Sequence, residues 1–121
     1  MKEVLIIEDN TMDQILNRSI LESLGFNCTV VADGEQAINF IKSVHFDLIV
    51  LDYHLPKLNG LQFVMGYKNA MPVANTPVVV VSANENTDVE KLMKSFGVKA
   101  FIRKPLEIGA HGNLIKHLMG S

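Results

Sequence analysis

The sequence predicts an α/β fold: a doubly wound parallel sheet of five strands, (βα)5, with helices on both faces. Three observations predict it. Short β-branched apolar runs alternate five times with stretches of helical spacing. The runs are apolar throughout rather than at every second residue, as in strands covered on both sides. Four of the five end beside a chemically active side chain, which is where open α/β sheets keep their ligand crevice.

The elements follow in order. Val4 to Ile7 reads as the first strand, ending at Glu8-Asp9. Thr11 is the expected cap of the first helix, with Gln14 completing a capping box. Met12, Ile15, Leu16, Ile20 and Leu24 follow helical spacing, and Gly25 supplies the stop. Cys28 to Val31 is a second strand. Asp33 caps a second helix with Ala37, Ile38, Ile41 and Val44 as its apolar face. Leu48 to Leu51, the central strand, ends abruptly at Asp52. Pro56, Asn59 and Gly60 then mark a turn and a helix start. That third helix runs from about Gly60 and ends at the latest at Pro72.

Pro77 opens a fourth strand, Val78 to Val81, terminated by Ser82. Thr87 and Glu90 form a further capping box, with Val89, Leu92, Met93 and Phe96 inward and Gly97 after them. Ala100 to Ile102 is a short fifth strand leading to Lys104-Pro105. The last helix is weakly specified, since Gly109 and Gly112 each cost about 1 kcal/mol relative to alanine. Its better half carries Leu114, Ile115, Leu118 and Met119.

Composition narrows the class. A chain of 121 residues is one domain of common size, residues 1–121, and Gly120-Ser121 has the look of a cloning remnant. No apolar run approaches the ~18 residues of a membrane span, and nothing at the amino end resembles a signal peptide. The single cysteine, Cys28, forbids an internal disulfide and points to a reducing cytoplasm. A formal charge of -2 argues against nucleic-acid binding by this domain. No P-loop and no phosphate-binding loop of the flavodoxin kind follows the first strand.

In a parallel sheet the strand ends share one edge. Glu8, Asp9, Asp52, Ser82 and Lys104 should therefore meet there. Three acids repel one another, and a hard divalent cation such as Mg²⁺ resolves this. A lysine to neutralise a phosphate and a hydroxyl to donate to it narrow the chemistry to phosphoryl transfer, with Asp52 as nucleophile. Taken singly, each residue has a plainer reading. Asp52 could start a turn, Glu8 and Asp9 could favour a helix N-terminus, Ser82 could cap local backbone, and Lys104 could be solvated. The combination lifts them.

These residues give the chain a resemblance to the receiver domains of bacterial two-component response regulators. It rests on Glu8-Asp9, Asp52-Tyr53-His54-Leu55-Pro56 with Asn59-Gly60, Ser82-Ala83 and Lys104-Pro105, and covers essentially the whole chain. It implies strand order 2-1-3-4-5 and a flavodoxin-like, chemotaxis-regulator-like fold. It implies that Asp52 is the phosphoacceptor and that Asp9 binds Mg²⁺ directly. Glu8 would act through a bound water, and the His54 backbone carbonyl would be a further ligand. Lys104 and Ser82 would hold the phosphoryl group, with Ser82 and Phe101 as the switch pair. The donor would be a phosphohistidine on a sensor histidine kinase or histidine phosphotransfer protein. Output would run through the surface of the fourth helix, fifth strand and fifth helix, to a protein partner or to an effector domain missing from this chain. No membrane contact and no separate substrate turnover are implied. The rivals are a degenerate receiver acting as a phosphorylation-independent interaction module, and a phosphatase of the haloacid dehalogenase type. The latter wants a second acid two residues past its nucleophile, where this chain has His54.

Overall fold

The computed structural model describes residues 1–55, 59–71, 75–83 and 87–120. Strands and helices alternate as β1 (Glu3–Ile7), α1 (Thr11–Ser23), β2 (Asn27–Val31), α2 (Gly34–Ile41), β3 (Leu48–Asp52), α3 (Gly60–Ala70), β4 (Val78–Ser82), α4 (Thr87–Ser95), β5 (Ala100–Arg103) and α5 (Ile108–Leu118). The five strands form one sheet in the order β2-β1-β3-β4-β5. Every pairing is parallel. The expected Pro56 turn and Pro72 stop lie outside the described residues, although α3 does end before the latter.

The sheet separates two apolar layers. Leu5, Ile7, Ile49, Leu51 and Val80 face α2, α3 and α4, where Ala37, Phe63, Val64 and Met93 cover them. Val4, Ile6, Val50, Val79 and Ile102 face α1 and α5, meeting Leu21, Leu106 and Ile115. Alternate residues of one strand thus serve opposite layers, which is why these strands are apolar without a period.

Caps follow local chemistry, with some departures from expectation. Asn10, not Thr11, caps α1: its side chain accepts from the Asp13 amide at 3.0 Å, while Thr11 is already helical. Asp33 caps α2 as expected, accepting from Gln36 at 2.8 Å. Asn59 and Gln62 complete a reciprocal capping box on α3. Thr87 is the first residue of α4 rather than its cap. At α5 the N-cap residue Glu107 makes no side-chain capping hydrogen bond, but His111 Nδ1 accepts from the Glu107 amide at 3.0 Å, supplying a partner from within the helix.

Several apolar faces also differ. Met12 and Ile15 are 73% and 60% exposed, and Leu16, Val44, Leu92 and Leu114 are exposed as well. Val44 falls beyond the end of α2. The buried stripe of α1 runs instead through Asn17 and Leu21, with Leu24 packed at its end.

Candidate functional site

Four strands deliver the site from one edge of the sheet. β1 runs into Glu8 and Asp9, β3 closes on Asp52, β4 on Ser82, and β5 leads to Lys104. Register fixes their heights: Asp52 is opposite Val81, and Ser82 is opposite Arg103. Backbone bonds continue the alignment past the strand ends. The Glu8 amide donates to Val31 at 3.0 Å, Tyr53 to Val81 at 3.3 Å, and Lys104 to Ser82 at 2.9 Å. The Lys104-Pro105 peptide is cis.

Carboxylate oxygens of Glu8, Asp9 and Asp52 lie within 4.8 Å of one another. Glu8 and Asp52 are buried, at 1% and 5% exposure, while Asp9 faces solvent. Local bonds hold two of the acids in place. The Asn10 amide donates to Glu8 Oε2 at 3.3 Å, and the His54 amide donates to Asp52 Oδ1 at 3.4 Å. Gln14 Nε2 also donates to the Glu8 carbonyl at 2.6 Å, tying the first turn of α1 to the strand end. Burial, followed by the hydrogen bond and charge of Asp52, pushes the Glu8 carboxyl from an ordinary 4.5 up to about 8. Without a cation, the buried Glu8 carboxyl therefore ionises less readily than an ordinary glutamate. An all-oxygen set of clustered acids with one exposed member suits a hard, partly hydrated divalent cation such as Mg²⁺.

Lys104 closes the crevice. Its Nζ lies 3.4 Å from Asp52 Oδ1, 3.2 Å from Glu8 Oε1 and 2.9 Å from Asp13 Oδ2. Burial pulls the ammonium down, but the Asp13 hydrogen bond and the charges of Asp52 and Glu8 outweigh it. Lys104 is held charged, above the usual lysine range. Ser82 is buried on the same edge, and Val80, two residues earlier, pairs with Phe101. Phe101 is half-buried against the α3 and α4 layer, with Lys94 Nζ at 5.9 Å from its ring centre. The exposed ring of His54 stands edge-on to Tyr53 at 5.1 Å.

The expected residues are thus brought to one edge, together with one that sequence reasoning missed. Asp13 makes the shortest contact to Lys104. The signal for it was spacing: Asp13 lies four residues past Asp9, so the first turn of a helix opening there returns it to the crevice.

The comparisons with known proteins agree with this architecture. Residues 4–117 match the response regulator receiver domain model. The chain belongs to the response regulator receiver domain family. It is 29% identical over 119 residues to the polar-differentiation response regulator DivK of Brucella ovis, covering 98% of this chain and 97% of that protein. It is 34% identical over 113 residues to the hybrid signal transduction histidine kinase I of Dictyostelium discoideum, covering 87% of this chain but only 6% of that far longer protein. Among solved structures, the receiver domain of the sensor histidine kinase PA1611 from Pseudomonas aeruginosa superposes with a TM-score of 0.82 at 27% identity. The match covers 99% and 98% of the two chains, and that structure holds a magnesium ion in its active site cleft. The chemotaxis protein CheY4 of Vibrio cholerae shares the fold, with a TM-score of 0.89 at 20% identity over 98% of each chain.

Proposed function

We propose that this receiver domain is a phosphorylation-activated switch of a two-component system, working on Asp52 with Mg²⁺ as cofactor. The observation that carries the reading is the placement of Lys104 Nζ 3.4 Å from Asp52 Oδ1, beside the Glu8, Asp9 and Asp52 carboxylates. A nucleophilic carboxylate, a nearby ammonium and a cation-ready acid cluster are what phosphoryl transfer to a carboxylate requires. A bound Mg²⁺ supplies neutralisation of the phosphoryl oxygens. Asp9 and Asp52 would hold it directly, Glu8 would act through a bound water, and the His54 backbone carbonyl would be a further ligand.

The donor is a phosphohistidine on a sensor histidine kinase or a histidine phosphotransfer protein. A carboxylate oxygen of Asp52 forms the new O–P bond as the N–P bond breaks, and its electron pair stays on the imidazole. Lys104 pairs with the added charge, and Ser82 donates to a phosphoryl oxygen. Phosphorylation adds about -1.5 to -2 charge and three acceptor oxygens. Ser82, Val80 and Phe101 share one face of the sheet, by the strand period and the β4–β5 register. Movement of Ser82 toward the phosphate therefore opens room for the Phe101 ring and biases the surface of α4, β5 and α5 between two states. That surface serves a downstream protein partner or an effector domain. The domain works in the cytoplasm and turns over no separate substrate.

Incubation with Mg²⁺ and acetyl phosphate, read by intact mass, tests this. One added phosphoryl group is expected, absent in Asp52→Asn and absent without Mg²⁺. An unmodified wild-type protein, or a modification that persists in Asp52→Asn, overturns the assignment.

A further inference from the structure

An ammonium group has three N–H donors, and in this structure Lys104 commits two of them elsewhere than to Asp52. Nζ donates to Asp13 Oδ2 at 2.9 Å and to Glu8 Oε1 at 3.2 Å, whereas Asp52 Oδ1 lies at 3.4 Å as an ion-pair contact. The three acceptors differ in what they can give up. Glu8 is fully buried, at 1% exposure, while the Asp13 side chain is 33% exposed and sits in the first turn of α1. Released from Lys104, the Asp13 carboxylate can be taken up by water. Glu8, at 1% exposure, has no such access to bulk solvent.

We infer that Asp13 is a competing anchor for Lys104, which biases the switch toward its unphosphorylated state. The inference deepens the phosphorylation reading and rests on it. Two effects act in the same direction. A phosphoryl group on Asp52 must draw the Lys104 ammonium away from its shortest contact, and it must do so beside the fixed negative charge of Asp13. Both raise the free energy of the phosphorylated form relative to a site with a neutral residue at this position. Asp13 touches no reacting atom. It acts through Lys104, as a positioning residue.

The test compares Asp13→Asn with the wild type, alone and in a Lys104→Met background. Phosphorylated fraction is read by intact mass at limiting acetyl phosphate with Mg²⁺. Affinity for beryllofluoride, which mimics the bound phosphoryl group without transfer, is read by NMR. Asp13→Asn should raise the phosphorylated fraction and tighten beryllofluoride binding by about three- to tenfold, the scale of one partly exposed charged hydrogen bond. In the Lys104→Met background the gain should shrink to half or less, because the competition has lost its object. An equal gain in both backgrounds overturns the proposal, as does no change or a loss in Asp13→Asn. A wild-type protein that takes up neither phosphate nor beryllofluoride would instead sink the phosphorylation reading itself, so the two failures are distinguishable.

Discussion

The Gly60 amide donates to the Tyr53 carbonyl at 2.8 Å, and a Cβ built on Gly60 would stand 3.0 Å from the Tyr53 ring and 3.1 Å from its Cα. The start of α3 is thus pressed onto the chain one residue past Asp52, and a methyl group fits only if Tyr53 gives way by a few tenths of an ångström.

Gly60→Ala should therefore destabilise the protein by about 1–3 kcal/mol, in spite of alanine's better helix propensity, because the obstructing atoms include backbone. Urea denaturation should show a lower midpoint with an unchanged slope.

The opposite is expected in α5. A Cβ on Gly109 meets nothing within 4 Å, and one on Gly112 meets Leu24 Cδ2 at an ordinary 3.6 Å. Gly109→Ala and Gly112→Ala should each stabilise by about 0.5–1 kcal/mol, since both remove unfolded-chain entropy without strain. Thermal melts of the two variants and their combination would check this.

The cap of α1 separates two neighbouring residues. Asn10→Ala removes the acceptor for the Asp13 amide and should cost about 1 kcal/mol, while Thr11→Ala should be close to neutral. Equal costs in chemical denaturation would contradict the observed cap.

Glu8 sets a pH dependence. Burial and its Asp52 neighbour raise its folded-state value to about 8 from an unfolded 4.5, so between these values the native protein holds a proton that the unfolded chain has lost. Metal-free stability should fall as pH rises through that window and level off above it. Glu8→Gln should flatten this part of the curve. Saturating Mg²⁺, whose binding replaces the proton, should reduce the fall. Denaturation with EDTA or with Mg²⁺ across the window measures both.

Much of this was legible in sequence. Five apolar runs located the five strands, and their terminal residues located Glu8, Asp9, Asp52, Ser82 and Lys104 at one edge. The first helix was the hardest to read. Apolar spacing pointed to Met12, Ile15 and Leu16, which are exposed, whereas the inward line runs through Asp13, Asn17, Leu21 and Leu24. The first position of that line turns toward the acidic crevice rather than the apolar layer, so its residue is polar and hydrophobic periodicity fails there. One misreading therefore hid both the buried face of α1 and the anchor of Lys104. Leu92 and Leu114 were misassigned for a simpler reason: apolar residues flanking a buried stripe satisfy the same spacing as the stripe itself.

The acids and the amine rest on parts of the sheet that open at different cost. Glu8, Asp9 and Asp52 are carried by β1 and β3, which have strand neighbours on both sides, and Val4 to Ile7 are wholly shielded from solvent. Amides there should exchange with deuterium only when the entire molecule comes apart. Lys104 follows β5, a four-residue strip bonded along a single margin, whose amides should exchange sooner through local peeling. The acceptor's geometry is then immune to breathing, while the lysine that answers it can drift, and rate constants for exchange measured strand by strand would display that division directly.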